Sequence, residues 1–333
     1  MWMNRTRLSR SGHSRSMPRH DPLPRALANG PFSVREGFDA GATKKRLRGA
    51  DLVSPFHGIR TLASASTTAP DDALSVTIRR CSEYAPLLRE GQYFSHLTAA
   101  VLWRIPLPGY VTEADPLHVT STTPRNAPRG AGIVGHRAPP AAIHSRFGFP
   151  VSSPEDTWLA LASAGTPVDE LIVAGDALVL DPAQLDPRDI RPYSTIDRLA
   201  AALAQYSGRG KRAAVEAVRL VRQGAESRQE TRLRLLVVRA GFPEPVLQAQ
   251  ILDAAGRPIG RGDMYYPEFR TILEYDGQQH RTDDRQYESD LARVERFTRA
   301  DYEYVRVTKS RIRSQELVIS LLDRALRRRG WTG

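Results

Sequence analysis

Apolar positions along the chain separate a featureless start from a folded remainder. Residues 1 to 29 show neither helical nor strand periodicity and read as a disordered arm. From Pro31 the pattern sharpens. Ser33 caps a predicted short helix through Ala40, Gly41 supplies a turn, and Thr43 caps a predicted second helix carrying Lys44, Lys45, Arg46 and Arg48. In the next segment, LVSPFHGIRTL, apolar residues flank a His57-Gly58 turn, which predicts a hairpin.

Over residues 65 to 190 the pattern is mixed. YFSHLTAAVLWRI reads as helix, LHVTST and GIVGHRA as strands, and SPEDTWLALAS as a helix capped by Ser153, which together make a central α+β domain. Residues 191 to 226 hold two helices split at Ser207 to Gly210, expected to be a helical connector. Residues 227 to 333 carry the clearest order. Ser227 to Glu230 open a helix that ends near Arg239. The strands VLQAQIL, IGRGDMYY and TILEYD follow, then a helix from about Tyr287 to Ala300, the strand YEYVRVT and a last helix from about Gln315 to Arg329. The expected fold class is therefore multidomain α+β, with an αβββαβα C-terminal domain of α/β type.

Length and composition narrow the class. A chain of 333 residues suggests two domains, or three if one is small. With 41% hydrophobic and 26% charged residues it is neither a disordered chain nor a fibre. The longest apolar run, LIVAGDALVL, is interrupted by Gly175 and Asp176, so a membrane-spanning helix is not expected. Cys81 is the sole cysteine, which excludes an intramolecular disulfide and a four-cysteine zinc site and makes the cytoplasm the natural compartment.

Charge placement points to a partner. Residues 1 to 50 hold eleven Lys and Arg against Asp21, Glu36 and Asp39, or +8 of the total +11. A basic end on a near-neutral body suits a polyanion such as DNA, because Lys and Arg that neutralise phosphates release condensed counterions. Residues 1 to 20 alone, with five Arg and no acid, equally fit a solvated tail or a transit peptide. Helix, turn, basic helix and hairpin over residues 30 to 64 is the layout of a winged helix-turn-helix, whose second helix enters the major groove. An ordinary pair of surface helices fits the same residues.

Candidate chemistry concentrates in the last hundred residues. A two-residue loop of Glu268 and Phe269 would set Pro267 against Arg270 and so place Asp263 opposite Glu274, with Glu274 and Asp276 projecting the same way. Directly opposed residues sit about 5 Å apart, where two charges repel by roughly 3 kcal/mol at an effective dielectric of 20. Three such carboxylates require a compensating cation, and oxygen-only ligands suit Mg²⁺ or Mn²⁺. The implied chemistry is metal-assisted phosphodiester hydrolysis. His280 has an ordinary pKa suited to deprotonating water, or is a surface histidine in a turn. Asp290, Arg293 and Arg296 share a helix face; Asp290 can orient His280 while the arginines meet phosphate, or Asp290 and Arg293 form a surface pair. Glu230 completes a capping box with Ser227, and it can also aim at the metal. His96, His136 and His144 lack metal-ligand spacing and are expected to be structural or surface histidines.

At these residues the chain resembles a known group. GDMYYPEFRTILEYDGQQH followed by ESDLARVERFTRADYEYVRVT is similar to the very-short-patch-repair-type endonuclease domains of the PD-(D/E)XK superfamily, over about residues 226 to 330. The resemblance implies Asp263 and Glu274 as metal ligands, His280 as general base, Asp290 as its partner and Glu230 as the acid on the first helix. The superfamily's lysine two residues after the acid is Asp276 here, so lysine-assisted activation of water is absent. A histidine-based mechanism replaces it or the domain has lost activity. PFSVREGFDAGATKKRLRGADLV, YFSHLTAAVLWRIPLP and FPVSSPEDTWLALAS resemble actinobacterial proteins with an AbiEi-type antitoxin region. That resemblance implies DNA binding or autoregulation in a toxin–antitoxin, phage-defence or repair setting, with a cognate toxin as a possible partner. Two functions are therefore expected: a Mg²⁺-dependent DNA endonuclease, or a non-catalytic antitoxin-like transcriptional regulator retaining a degenerate nuclease fold.

Overall fold

The computed structural model describes residues 21–63, 72–107, 115–182, 186–277 and 284–333, apart from the side chains of 284–287, 289 and 290. Residues 1 to 20 of the expected arm and the expected base His280 lie outside the described residues; the rest of the arm is not featureless, because Arg25–Leu27 form a 3₁₀ turn and Leu27 is buried with Phe32 and Leu47. The protein is an α+β fold that divides into two compact units. Up to Ala69, together with Ser82–Leu87, the chain forms the first; Pro70–Cys81 and Leu88–Gly333 form the second.

In the first unit, strand β1 (Phe32–Ser33) leads into helix α1 (Val34–Asp39), and β2 (Leu52–Val53) and β3 (Ile59–Leu62) form the hairpin. The sheet is antiparallel in the order β1-β3-β2, over a core of Leu27, Phe32, Ala42 and Leu47. Ser33 caps α1 with a full capping box: its hydroxyl accepts the Glu36 N–H at 3.1 Å, and the Glu36 carboxylate accepts the Ser33 N–H at 2.6 Å. The expected basic helix is reduced to a single 3₁₀ turn, Arg46–Arg48. Thr43 does accept the Arg46 N–H, at 3.1 Å, but the turn ends at Gly49 before a second cycle forms.

The second unit begins with α2 (Ala73–Tyr84), whose end crosses into the first. Strand β4 (Gln92–Phe94) and α3 (His96–Leu102) share the segment expected to be helix throughout; Gln92–Phe94 is drawn into a strand by pairing with β5 (Leu117–Thr122). With β6 (Ile133–Ala138), β7 (Ile143–Arg146) and β8 (Phe149–Ser152) these make a five-stranded sheet ordered β6-β5-β4-β8-β7.

Helices α4 (Pro154–Ser163), α5 (Val168–Val179), α6 (Ile196–Gln205) and α7 (Lys211–Leu220) follow. Ser153 caps α4 as expected, accepting the Asp156 N–H at 2.9 Å. The interrupted apolar run LIVAGDALVL is α5. At Gly175 a Cβ would stand 2.4 Å from Val221 Cγ2, so only glycine admits this approach.

Domain boundaries expected at 190 and 226 do not separate compact units. Asp176 of α5 and Arg234 of α8 (Arg228–Arg239) form a fully buried ion pair, and Arg228 and Arg239 reach back to Glu170 and Asp169. The segment expected to be a connector packs its Leu199, Leu203, Ala214 and Ala217 into the interior.

Beyond α8 come β9 (Val246–Leu252), β10 (Pro258–Tyr266), β11 (Thr271–Asp276), α9 (Asp284–Arg299), β12 (Glu303–Thr308) and α10 (Gln315–Arg328), the expected αβββαβα order. The sheet runs β12-β11-β10-β9, with β11 and β12 parallel and the other pairs antiparallel. Strand alternation sorts its side chains. Met264, Tyr266, Leu273, Val305 and Val307 pack with Leu233 of α8 and Val318 and Leu322 of α10. Ile251 and Ile272 pack the other way, with Phe297 of α9. Asp263, Glu274 and Asp276 share the parity of Tyr265 and Ile272 and therefore belong to the α9 face.

Candidate active site on the C-terminal sheet

Strands β10 and β11 pair as Met264↔Leu273, Tyr265↔Ile272 and Tyr266↔Thr271, which is the register inferred from the sequence. The loop is longer than two residues. Pro267–Phe269 form a 3₁₀ turn and Arg270 takes a left-handed conformation (φ 45°), so Pro267 and Arg270 leave the ladder. One step beyond Met264↔Leu273, Asp263 faces Glu274, and Asp263 Oδ2 accepts the Tyr275 N–H at 3.0 Å.

The carboxylates meet different partners. Glu274 is 5% exposed and is held by a bidentate fork from Arg293 of α9, at 2.7 and 3.0 Å, with the Tyr304 hydroxyl donating at 2.7 Å. Arg293 also donates to the Arg261 carbonyl at 2.9 Å. Asp276 pairs with Arg306 of β12 at 2.8 Å. The expectation that these acids need a metal for compensation is corrected for two of them, because arginines supply the charge. Arg293 serves Glu274 rather than standing ready for phosphate. Arg296 lies exposed and donates to the Ile259 carbonyl at 3.0 Å.

Asp263 is the electrostatic outlier. Burial, reinforced by the charges of Glu230 and then Glu274, pushes its pKa up to about 8, against the pull of the Tyr275 N–H and Arg293. Burial also raises Glu230, while the Ser227 hydroxyl, the Glu226 N–H and Gln248 favour its ionised form.

Ser227 does cap α8, accepting the Glu230 N–H at 3.2 Å. The capping box is not closed as expected. Glu230 Oε2 accepts the Glu226 N–H at 2.9 Å and the Gln248 side chain at 3.0 Å instead of the Ser227 N–H, which turns it toward the sheet. Gln248 has a left-handed backbone (φ 49°) and faces Asp263 across the β9–β10 ladder. It was not singled out from the sequence, nor were Tyr304 and Arg306. Their only signal was alternation in YEYVRV, and alternation names a face without naming the strand beside it.

A metal implied here has an all-carboxylate donor set in Asp263, Glu230 and Glu274, which suits a hard divalent ion. Among the described residues, however, no three acids bring their oxygens within 4.8 Å of one another. Sharing an ion therefore requires Glu274 to loosen its hold on Arg293. Asp276 faces Arg306, which leaves it a poor ligand. Asp290 lies within α9, but its side chain, like His280, is outside the described residues.

At the other end of the chain Lys44, Lys45 and Arg48 are exposed. Arg46 is not available to a partner. Its side chain is 7% exposed and forks onto Asp51 at 2.6 and 3.0 Å.

No family model matches the chain, and no curated protein does. Among solved structures, the chain is similar to the crystal structure of the RV2827C protein from Mycobacterium tuberculosis, at 16% identity and a TM-score of 0.35 over 57% of this chain and 70% of that one. No helix among the described residues is long and apolar enough to cross a membrane.

Proposed function

We propose that the protein binds DNA through its basic first unit and hydrolyses phosphodiester bonds with a Mg²⁺- or Mn²⁺-dependent site on the α9 face of the C-terminal sheet. The observation that carries this reading is Asp263, a half-buried carboxyl that faces Glu274 across the strands and feels the charge of Glu230. A purely structural sheet gains nothing from gathering mutually repelling groups in its interior. Asp263, Glu230 and Glu274 would hold the ion. Such an ion polarises a phosphoryl oxygen and stabilises charge on the leaving oxygen. Glu274 would give up part of its fork with Arg293 to reach the ion, Gln248 fixes Glu230, and His280, four residues after Asp276, is proposed to take the proton from water.

The test is nicking of supercoiled plasmid in Mg²⁺ or Mn²⁺ by wild type, Asp263→Ala and His280→Ala, with losses on the order of 100-fold expected in both variants. Equal nicking by all three preparations would remove support for the enzyme.

A second reading is favoured by the pairing of Glu274 with Arg293 and of Asp276 with Arg306. In it, arginines have replaced the metal and the domain is a non-catalytic module of an antitoxin-like regulator, with a cognate toxin as its partner. Both readings keep the DNA contact. Replacing Lys44, Lys45 and Arg48 by Ala should flatten the slope of log affinity against log salt by about 3 in shift assays, the loss of three phosphate contacts. An unchanged slope would place the contact elsewhere.

A further inference from the structure

Three histidines far from the acids converge on the five-stranded sheet. His118 lies on β5 and His136 on the neighbouring parallel edge strand β6, in a register that pairs His118 with Val134 and Thr120 with His136. His96 is the first residue of α3. One nitrogen from each ring lies within 4.8 Å of the other two, and no other group of three candidate ligands among the described residues does so. We propose that His96, His118 and His136 form a binding site for a late first-row divalent metal, with Zn²⁺ as the natural probe.

Spacing supports an ion. His118 Nδ1 and His136 Nε2 share a hydrogen bond at 2.9 Å; an ion would displace the shared proton and open the pair to the roughly 3.3 Å that two Zn–N bonds of about 2.05 Å subtend at a tetrahedral angle. The rings are nearly parallel, at 11 to 22°, with the His96 and His136 centroids 3.6 Å apart.

The scaffold is arranged to present these rings. His96 has a left-handed backbone (φ 49°), a conformation few non-glycine residues hold without compensation, and it turns the imidazole onto His136. His96 Nδ1 is engaged by the Ser95 hydroxyl at 2.9 Å, which itself accepts from the Thr120 hydroxyl at 2.7 Å. That leaves Nε2 as the ligating atom and gives the ring the outer hydrogen bond that metal-bound histidines typically have. The His118 N–H donates to the Thr98 hydroxyl, and the His118 carbonyl accepts the Ser95 N–H. Next to His136, Gly135 lets the Pro128 carbonyl pass where a Cβ would stand 1.8 Å away, bracing β6 from its other face.

A donor set of imidazoles alone selects zinc, copper, nickel or cobalt over magnesium or calcium, and three protein ligands leave one position open to water.

Equilibrium dialysis of the untagged full chain against Zn²⁺ tests the site. With Mg²⁺ in excess to occupy the acid site, one Zn²⁺ per chain is expected. His118→Asn/His136→Gln should weaken binding at least 100-fold, and His57→Gln, at an exposed histidine outside both sites, should leave it unchanged. Equal uptake by wild type and the His118/His136 variant, or an equal loss in His57→Gln, would overturn the proposal. Circular dichroism checks the folding of each variant. If the histidine variant is unfolded, X-ray absorption of Co²⁺-loaded wild type decides: a four-coordinate, nitrogen-rich site supports the assignment, and a six-coordinate oxygen shell refutes it.

Discussion

Arg234→Met should destabilise the second unit by about 3–5 kcal/mol, because it strands a carboxylate in the interior. Arg234 and Asp176 have fully buried side chains and meet at 3.1 Å. Arg234 also donates to the Leu220 carbonyl at 2.7 Å and to Glu244 at 3.0 Å. Asp176 accepts from the Arg222 N–H at 2.7 Å and the Thr231 hydroxyl at 2.9 Å. Even with these partners, burial pushes the Asp176 pKa up to about 6. A carboxyl raised in the folded state loses its favourable contribution as pH climbs from about 3.8 through that value. Removing the guanidinium raises it further. The cost of Arg234→Met should therefore be largest near neutral pH and shrink at pH 5, where the stranded carboxyl takes up a proton. Urea unfolding at the two pH values reads this directly, and Asp176→Leu in the same background should recover most of the loss. Equal costs at both pH values would assign the effect to lost packing instead of stranded charge.

That pair also marks the limit of what could be read from the chain. In LIVAGDALVL, Gly175 and Asp176 look like polar interruptions of an apolar run. In the folded protein they are its most specific positions, one admitting Val221 and the other binding an arginine nearly sixty residues away. Local signals were legible: the caps at Ser33, Ser153 and Ser227, the hairpin around His57-Gly58, and the αβββαβα order. The β10–β11 register was legible from strand alternation even though the loop is longer than the two residues expected, and it sets Asp263 opposite Glu274.

Partners across non-neighbouring elements were not legible. Alternation puts Glu274 on a face but does not say that α9 will lay Arg293 across it or that β12 will run parallel and supply Arg306. The histidines were passed over for the same reason. His118 and His136 are eighteen residues apart in sequence and become neighbours only because β5 and β6 pair in parallel. Thr43 misled in the opposite sense, since a good cap does not lengthen a helix that Gly49 ends and whose Arg46 is drawn back to Asp51.

Asp263→Asn should stabilise the metal-free protein while abolishing metal-dependent nicking. The carboxyl ionises near 3.8 when unfolded and near 8 when folded, so between those values the folded chain holds a proton that the unfolded chain has released. Stability contributed by that proton is full below about pH 4 and is lost progressively as pH rises toward 8. A shift of four units corresponds to about 5 kcal/mol at 1.36 kcal/mol per unit, and relaxation with water entry reduces this to roughly 2–3 kcal/mol. For a unit of this size that is a rise in Tm of about 4–12 °C, greatest near pH 8 and absent near pH 4. Mn²⁺ reverses the ranking if Asp263 is a ligand: it raises the wild-type Tm and leaves Asp263→Asn where it was, because an ion that binds only the folded carboxylate stabilises by mass action. A variant that is more stable, inactive and indifferent to Mn²⁺ has traded function for an easier interior, which is the signature of a site. Should Mn²⁺ shift neither protein while the apo variant is still stabilised, Asp263 would be a buried acid without a ligand, and the domain would be the arginine-neutralised regulator of the second reading.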